Sequence, residues 1–430
     1  MTELHKRNLL IGFMALSLLP AILLVHSPLN WSLASATLYL SSITGYVGIV
    51  MLLWMFVIGA KSFFGLIFTD LAPVLTVHKW LGKYGSVFIL LHPVLIVVSY
   101  GKNVLYPLLP AIGTSFERNV TLGRVAFLLV IVIWCSSVLM RKKLGRRPWK
   151  YIHYLAYVSL PFALLHVPHT GSQFITQTAL KLYYFSLVIL FFIFLLIRVH
   201  AWLSGGQTSY AIVRHQLVAD NTYLLELAPT SANYLMPKRG QYVYIRDGFV
   251  SEEHPFSVVS VDKKNHTITL VYRVFGRFTE HLTTLAKGHR VMVSKPYGSF
   301  THGTSAHSRP IVYIAGGIGI TPFIDHILSN PPGGQWLFYA NRTHASASFA
   351  RQLQDKLGDH YVGIYSRDKA LNANEENSYF NAALVEKHIP TPADCHYYLC
   401  GPETMIRSAT RALVSLGITS AHIHTESFEL

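Results

Sequence analysis

Long apolar runs and short alternating ones divide the chain in two. Up to about residue 196, uncharged stretches recur at roughly 9–25, 38–58, 83–100, 122–140, 151–168 and 180–197, each close to the ~20 residues that a bilayer core demands of a helix. The pattern predicts six membrane helices. After a short Ser204-Gly205-Gly206-Gln207 linker the runs shorten and alternate, predicting strands at 210–214, 223–227, 242–246, 256–261 and 267–272, a small antiparallel barrel ending near Phe300. From Pro310, apolar strands at 311–315, 336–339, 361–365 and 397–400 alternate with helical stretches, which implies a parallel, doubly wound sheet. The expected architecture is a multi-domain membrane protein: a six-helix transmembrane bundle (1–203), an antiparallel β-barrel domain (207–304) and an α/β doubly wound domain (308–430). No internal repeat is visible in this pattern.

Composition changes the picture only in part. Hydrophobic residues make up 51% of 430 and mean hydropathy is +0.35, which places part of the chain in the lipid bilayer. A net charge of +15 raises nucleic acid as a partner, but many of the cations sit in short loops between apolar runs and read as topology signals instead, so no nucleic-acid partner is expected. The connection 141–150 (Arg-Lys-Lys-Leu-Gly-Arg-Arg-Pro-Trp-Lys) is strongly cationic, while the loops at 27–30 and 167–178 carry no Lys or Arg. The positive-inside rule then puts both termini in the cytosol. The first apolar run follows Lys6 and Arg7 without a small-residue cleavage site and reads as a retained helix. Cys135, Cys395 and Cys400 form no disulfide framework, consistent with a reducing compartment.

Four histidines stand at membrane depth: His78 and His92 at the ends of the third span, His153 and His166 at the ends of the fifth. Imidazole is costly in hydrocarbon unless it has a partner or a ligand role. The 14 residues from His78 to His92 turn an ideal helix by about 1400°, within roughly 40° of one face. The 13 from His153 to His166 leave their rings about 140° apart, a mismatch that a kink at Pro161 would repair. Pairing His78 with His153 and His92 with His166 gives two bis-histidine metal sites stacked across the membrane, suited to b-type haems that transfer electrons. His169 is a rival to His166, and interfacial capping by each histidine is the bland alternative. His26 and His200 fit neither pair.

The soluble half carries an ordered set of motifs. His254-Pro255-Phe256-Ser257 lies in the barrel. Tyr272-Arg273-Val274-Phe275-Gly276-Arg277-Phe278-Thr279 stands at a strand-to-helix junction, and Gly316-Gly317-Ile318-Gly319-Ile320-Thr321-Pro322 follows the first strand of the sheet. Cys400-Gly401-Pro402-Glu403 and Phe428 come last. Glycines after a strand let the backbone approach a nucleotide, and a following helix N-terminus offers unpaired N–H groups to phosphate. Taken alone, that loop is equally well an ordinary tight turn.

This set resembles the ferredoxin-NADP reductase superfamily and, with the histidine pairs ahead of it, is similar over nearly the whole chain to the ferric reductase and NADPH oxidase family. The resemblance implies an FAD-binding barrel and an NADP-binding α/β domain. It lays His254, Pro255, Phe256 and Ser257 along the flavin and gives Arg273, Gly276 and Thr279 the FAD pyrophosphate. Gly316, Gly317, Gly319, Thr321 and Pro322 would cradle NADPH, Cys400, Gly401 and Pro402 would sit near the nicotinamide, and Phe428 would cover the flavin ring. Thr321, Cys400 and Phe428 are thus the residues expected nearest hydride transfer. Ser257 stands where relatives commonly carry Thr, and Glu429 and Leu430 follow Phe428, where the aromatic tends to be last in eukaryotic oxidases. Ser366 and Arg367 resemble the Ser-Arg element that holds a 2′-phosphate in NADP-dependent relatives, and Lys369 adds a second cation, with Arg342 a further candidate, favouring NADPH over NADH.

The expected activity is transmembrane electron transfer from cytosolic NADPH through FAD and two b-type haems. The acceptor is a small molecule, a ferric or cupric ion or chelate, or oxygen giving superoxide. It would be reduced near Tyr100, Lys102, Glu117, Arg118 and His169 on the outer face of a cell membrane. A separate extracytoplasmic redox partner protein is the alternative recipient, and a haem-free anchor carrying a flavin reductase is a third reading.

Overall fold

The computed structural model describes residues 3–68, 70–203, 207–248, 251–298, 300, 309–370 and 372–427, with only the backbone of Arg146, Ser172 and Ser427. Of the expected linker 204–207, residues 204–206 lie outside the described residues, as do the expected domain junction and Phe428, while Gln207 already belongs to the first strand. The chain divides into two compact units, Met1–Leu203 and Ser204–Leu430.

The first unit is all helical: α1 (Glu3–Leu23), α2 (Leu33–Ile58), α3 (Lys61–Ile67), α4 (Ala72–Trp80), α5 (Ser86–Ser99), α6 (Ser115–Trp134), α7 (Arg141–Leu144), α8 (Arg146–His153), α9 (Ala156–Thr170), α10 (Ser172–Thr176) and α11 (Thr178–Leu203). A π segment, Leu81–Gly85, joins α4 to α5, and a second, Cys135–Leu139, extends α6. Among the described residues five helices are long and apolar enough to cross a bilayer: Glu3–Leu23, Leu33–Ile58, Ala72–Ser99, Ser115–Leu139 and Thr178–Leu203. The chain is a membrane protein. The expected span at 151–168 forms no sixth such helix, because a turn at Tyr154–Leu155 separates α8 from α9. The 15 residues of α9 reach only about 22 Å at 1.5 Å each.

Capping boxes start α2 (Ser32 with Ser35) and α6 (Thr114 with Glu117), each satisfying two otherwise unpaired N–H groups. Lipid gives helices no hydrophobic reason to associate, so small residues and interhelical hydrogen bonds do the joining. Accordingly α2 buries Thr37, Ser41, Thr44 and Gly48 among its large residues. The Trp54 indole donates to Ser17 Oγ (2.8 Å) and the Tyr183 hydroxyl to the Ser17 carbonyl (2.7 Å), tying α1, α2 and α11 at one residue.

The second unit opens with β1 (Gln207–Ala219), β2 (Thr222–Pro229), β3 (Tyr242–Arg246), β4 (His254–Asp262), β5 (Thr267–Arg273), α12 (Arg277–Thr284) and β6 (Arg290–Ser294). Its strands close an antiparallel barrel in the order β1-β2-β5-β4-β3-β6. The closing strand β6 was not among the expected ones; it is five residues long and turns only Val291 and Val293 fully inward. A sheet follows, built from β7 (Ile311–Gly316), β8 (Gln335–Asn341), β9 (Tyr361–Tyr365), β10 (Glu375–Glu376), β11 (His396–Gly401) and β12 (Ile423–Ser427), with α13 (Ile324–Ser329), α14 (Ala350–Leu357), α15 (Ala382–His388) and α16 (Glu403–Ser415) between strands. Its strands are parallel in the order β10-β9-β8-β7-β11-β12. Barrel and sheet share a core: Val259 and Val271 pack with Tyr313, Ile320, Phe323 and Tyr398. The Tyr313 hydroxyl, fully inside that core, bonds His326 Nδ1 at 2.6 Å, as a buried phenol requires.

Candidate functional sites

The histidines come together by a different local geometry from the expected one. A π turn carries its hydrogen bonds to i+5, so the segment Leu81–Gly85 between His78 and His92 shifts the helix phase by about one residue, near 100°. The 14-residue arithmetic therefore does not hold. Between His153 and His166 the irregularity lies at Tyr154–Leu155, not at Pro161, which sits inside α9. There Leu155 N bonds Ile152 O (3.1 Å), Tyr157 N bonds Tyr154 O (3.0 Å) and Val158 N bonds Leu155 O (3.0 Å). Such i to i+3 bonds tighten the turn to about 120° per residue and recover part of the 140° mismatch.

His78 and His153 end with ring centroids 6.0 Å apart and planes at 65°. The His153 ring stacks on Trp149 (5.0 Å), and the Trp149 indole donates to Ser137 Oγ, 3.5 Å from His153 Nδ1. Deeper in the chain order, His92 and His166 line a single cavity of about 1000 Å³ together with Ile49, Leu52, Ile89 and Phe127. His169 is exposed and is not in that lining.

Two helix pairs hold His92 and His166 in the same way. His92 Nδ1 donates to the Ser41 carbonyl of α2 (2.8 Å), and His166 Nδ1 to the Asn119 carbonyl of α6 (2.9 Å). A carbonyl only accepts, so the proton is on Nδ1 and the neutral ring keeps its Nε2 lone pair. Four residues beyond each carbonyl stands a glycine, Gly45 or Gly123. A Cβ there would lie 2.9 Å from His92 Nδ1 or 2.7 Å from His166 Nδ1. Sequence reasoning missed both glycines: each lies four residues after the carbonyl its histidine bonds, but 47 and 43 residues before the histidine itself, so no common spacing to the histidines marks them. The repetition is one of contacts, which the apolar pattern does not display.

The chemistry of this donor set, paired neutral imidazoles, suits a haem iron. Metal-binding imidazoles typically donate their other N–H to a carbonyl or carboxylate, as both of these do. Metal–nitrogen bonds of about 2 Å fit between rings whose centroids are 6.0 Å apart.

In the second unit the glycine turn and the Cys400-Gly401-Pro402 turn meet at the C-terminal edge of the parallel sheet. Strand order reverses between β7 and β11, the switch point where open α/β sheets bind ligands. The glycine turn follows β7 and Cys400-Gly401-Pro402 ends β11. They are packed so closely that a Cβ on Gly319 would lie 2.6 Å from the Cys400 carbonyl carbon and 2.8 Å from Gly401 N, and one on Gly316 would meet Met405 Sδ at 2.5 Å. Gly317 has φ of +53° and is half-buried, with Arg273 Nη1, at 3.9 Å, the one described atom within 4 Å of its Cβ position. The barrel motif and the glycine turn are thus neighbours.

Thr321 is buried, its hydroxyl donating to the Ile318 carbonyl (2.9 Å). Cys400 is fully buried, and burial raises its thiol well above the usual range, with Glu426 adding to the shift. It stays a neutral thiol. The turn continues as a 3-10 segment, Gly317–Ile320, before the short helix α13 begins at Ile324. In the barrel, His254 stacks on Phe278 (4.0 Å) and Ser257 is buried opposite Tyr242. Gly276, with φ of +86°, opens α12, and the Thr279 hydroxyl accepts from Phe275 N (2.7 Å) and donates to Gly276 O (2.9 Å). Thr279 therefore shapes the turn.

The loops after β8 and β9 run side by side through Ser366 N to Asn341 O (3.1 Å) and Arg367 N to Arg342 O (2.9 Å), placing exposed Arg342, Arg367 and Lys369 at this edge. His344 braces them. It stacks on Tyr365 (3.8 Å) and its ring nitrogens meet Asp368 and Glu375, each at 3.0 Å. Burial alone would lower the pKa of His344, but the hydrogen bonds to Glu375 and Asp368 outweigh it and raise it. A raised pKa contributes stability below the unfolded value of about 6.5 that is lost as pH rises through the folded one. The melting-temperature gap between wild type and His344→Gln is therefore expected to be widest below pH ~6.5 and to close above it, worth within about 1 kcal/mol at such an accessible site. A gap that is constant with pH would contradict this.

Residues 44–164 match the family described as the ferric reductase like transmembrane component, and residues 313–411 match the oxidoreductase NAD-binding domain. NADH-cytochrome b5 reductase 1 of Eremothecium gossypii is 32% identical over 158 residues, 34% of this chain and 55% of that protein. Ferric reduction oxidase 5 of Arabidopsis thaliana is 24% identical over 256 residues, 58% of this chain and 34% of that one. The chain thus spans from about a third to just over half the length of these relatives. Among solved structures, the flavohem-like FAD/NAD-binding domain of a nitric oxide dioxygenase from Vibrio cholerae is similar over 51% of this chain and 98% of its own, at 21% identity and a TM-score of 0.46.

Proposed function

Because this chain joins a ferric reductase-like transmembrane component to an NAD-binding oxidoreductase module, we propose that it is a multi-pass flavocytochrome. It would move electrons from cytosolic NADPH, through FAD and two b-type haems, to a ferric or cupric ion or to oxygen on the outer face of a cell membrane. The observation that carries the reading is the paired anchoring of His92 and His166 on one cavity, each through Nδ1 to a helix carbonyl.

In this reading His78 with His153, and His92 with His166, would hold the two haems. Gly45 and Gly123 let each ring reach its carbonyl, which fixes both the tautomer and the ring's aim. The cationic stretch 141–150 supports a cytosolic position for the adjacent face, the side on which His153 would lie at the end of α8. Arg273 and the start of α12 would hold the FAD pyrophosphate, while the turn at Gly317 would take the NADPH phosphates, the backbone there being open to approach. Arg342 and Arg367 would bind the 2′-phosphate, with Ser366 beside them. Phe428 would cover the flavin. Bound FAD supplies the conversion of a two-electron hydride into single electrons, the form in which haem iron accepts them. No residue is required as a general acid or base, in keeping with the buried thiol of Cys400 and the committed hydroxyl of Thr321.

The test is the visible spectrum of the detergent-purified chain before and after anaerobic NADPH. About two haems and one flavin per chain, with sharpened b-type bands on reduction, is the expected result. A flavin spectrum without haem from haem-replete cells would leave only an anchored flavin reductase. Acceptor assays on the same preparation separate self-sufficient turnover from a chain that reduces its haems and then stalls for want of a protein partner.

A further inference from the structure

Arg124 lies in α6, one residue beyond the glycine that packs on His166, and it lines the cavity shared by His92 and His166. It is 8% exposed, and its Nε and Nη1 are buried without a hydrogen-bond partner. The Tyr106 ring lies 4.3 Å from its guanidinium carbon. That stacking engages the face of the cation only. The N–H donors of a guanidinium point outward in its own plane, so a ring above it leaves them unsatisfied. A buried cation with free donors is costly unless something pairs with it.

The described lining residues do not supply that partner. Glu117 is the one carboxylate among them, and its Oε2 already accepts from Thr114 N (2.9 Å) as the cap of α6. We infer that Arg124 is a binding site for a carboxylate that enters the cavity from outside the chain, received on the in-plane fork while Tyr106 holds the guanidinium from its face. The planar fork matches a carboxylate in two parallel bonds. Two sources have this chemistry: the carboxylate side arm of a haem held by His92 and His166, which rests on the function proposed above, or the carboxylate of an anionic ferric chelate reaching the cavity past Tyr100 and Lys102.

The full-length chain and its Arg124→Gln and Arg124→Lys variants distinguish them. If the carboxylate belongs to the haem, Arg124→Gln lowers the midpoint potential of one haem in a spectroelectrochemical titration, leaves the other in place and leaves the KM for ferric citrate unchanged. If it belongs to the acceptor, both potentials stay and the KM for ferric citrate rises by about tenfold or more, as loss of a charge-assisted bond implies, while oxygen reduction is unaffected. Arg124→Lys keeps the charge and loses the fork, so it moves the same quantity by less, and it serves alone if the glutamine variant does not fold. Wild-type potentials and wild-type KM in a folded variant overturn the inference. If the wild-type chain carries no haem, the histidine assignment fails by itself. The carboxylate site is then read from the rise in melting temperature with citrate: a rise that Arg124→Gln abolishes supports it, and no rise in wild type overturns it.

Discussion

Replacing His166 with alanine is expected to lower haem content from about two per chain to about one and to cut NADPH-driven acceptor reduction at least ~100-fold, since even an outer-shell change typically costs 10–100-fold at a metal site. Flavin reduction by NADPH should be unchanged, because the nucleotide edge and barrel belong to the other unit. His169→Ala is the control. His169 is exposed and outside the cavity lining, whereas His166 has its Nδ1 on the Asn119 carbonyl and its ring against Gly123. Haem absorbance per protein and stopped-flow flavin reduction read the two halves separately. Full haem content in His166→Ala, with loss in His169→Ala, would transfer the ligand role to His169. Full haem content in both would remove the histidine argument for this cavity. The Thr170 hydroxyl, 3.3 Å from His166 Nε2, is a neighbouring oxygen through which His166→Ala would retain part of its haem.

The apolar pattern found every long helix and nine strands, because burial of whole elements leaves its mark on residue type at fixed periods. It did not find the interruptions. The π segments at Leu81–Gly85 and Cys135–Leu139 and the tight turn at Tyr154–Leu155 change hydrogen-bond register without changing hydropathy, so counting 3.6 residues per turn gave the wrong phases. The strands β6, β10 and β12 were missed for a similar reason: β10 is two residues long, and its place is set by pairing with β9 rather than by its own side chains. Among the candidate residues, the motifs flanking strand ends were legible because glycine after a strand is chemically distinctive. His344, Met405, Arg124 and Gly123 were not. Each acts through a neighbour far away in sequence, as His344 does through Glu375 or Gly123 through His166, and no local pattern encodes such a contact.

Gly319→Ala is expected to remove NAD(P)H-driven flavin reduction at least ~100-fold and to destabilise the second unit by about 3 kcal/mol, the upper part of the range for forcing a methyl group into a packed interior. The methyl group would overlap the Cys400 carbonyl, with the Cys400 carbonyl carbon at 2.6 Å and Gly401 N at 2.8 Å. All three atoms are backbone, so no side-chain rotation relieves the clash. One of the two turns must move, and both sit on the central strands β7 and β11, which pair from His396↔Ile311 to Cys400↔Ala315. Movement there separates the glycine turn from the Cys400-Gly401-Pro402 turn, the two segments proposed to face the nucleotide. Gly333→Ala is the matched control, since a Cβ at that glycine meets nothing within 4 Å. Thermal melts and stopped-flow flavin reduction of both variants decide the matter. Near-wild-type reduction in Gly319→Ala would mean that the nucleotide does not depend on the close crossing of these two turns, and would move its site away from the β7–β11 switch point.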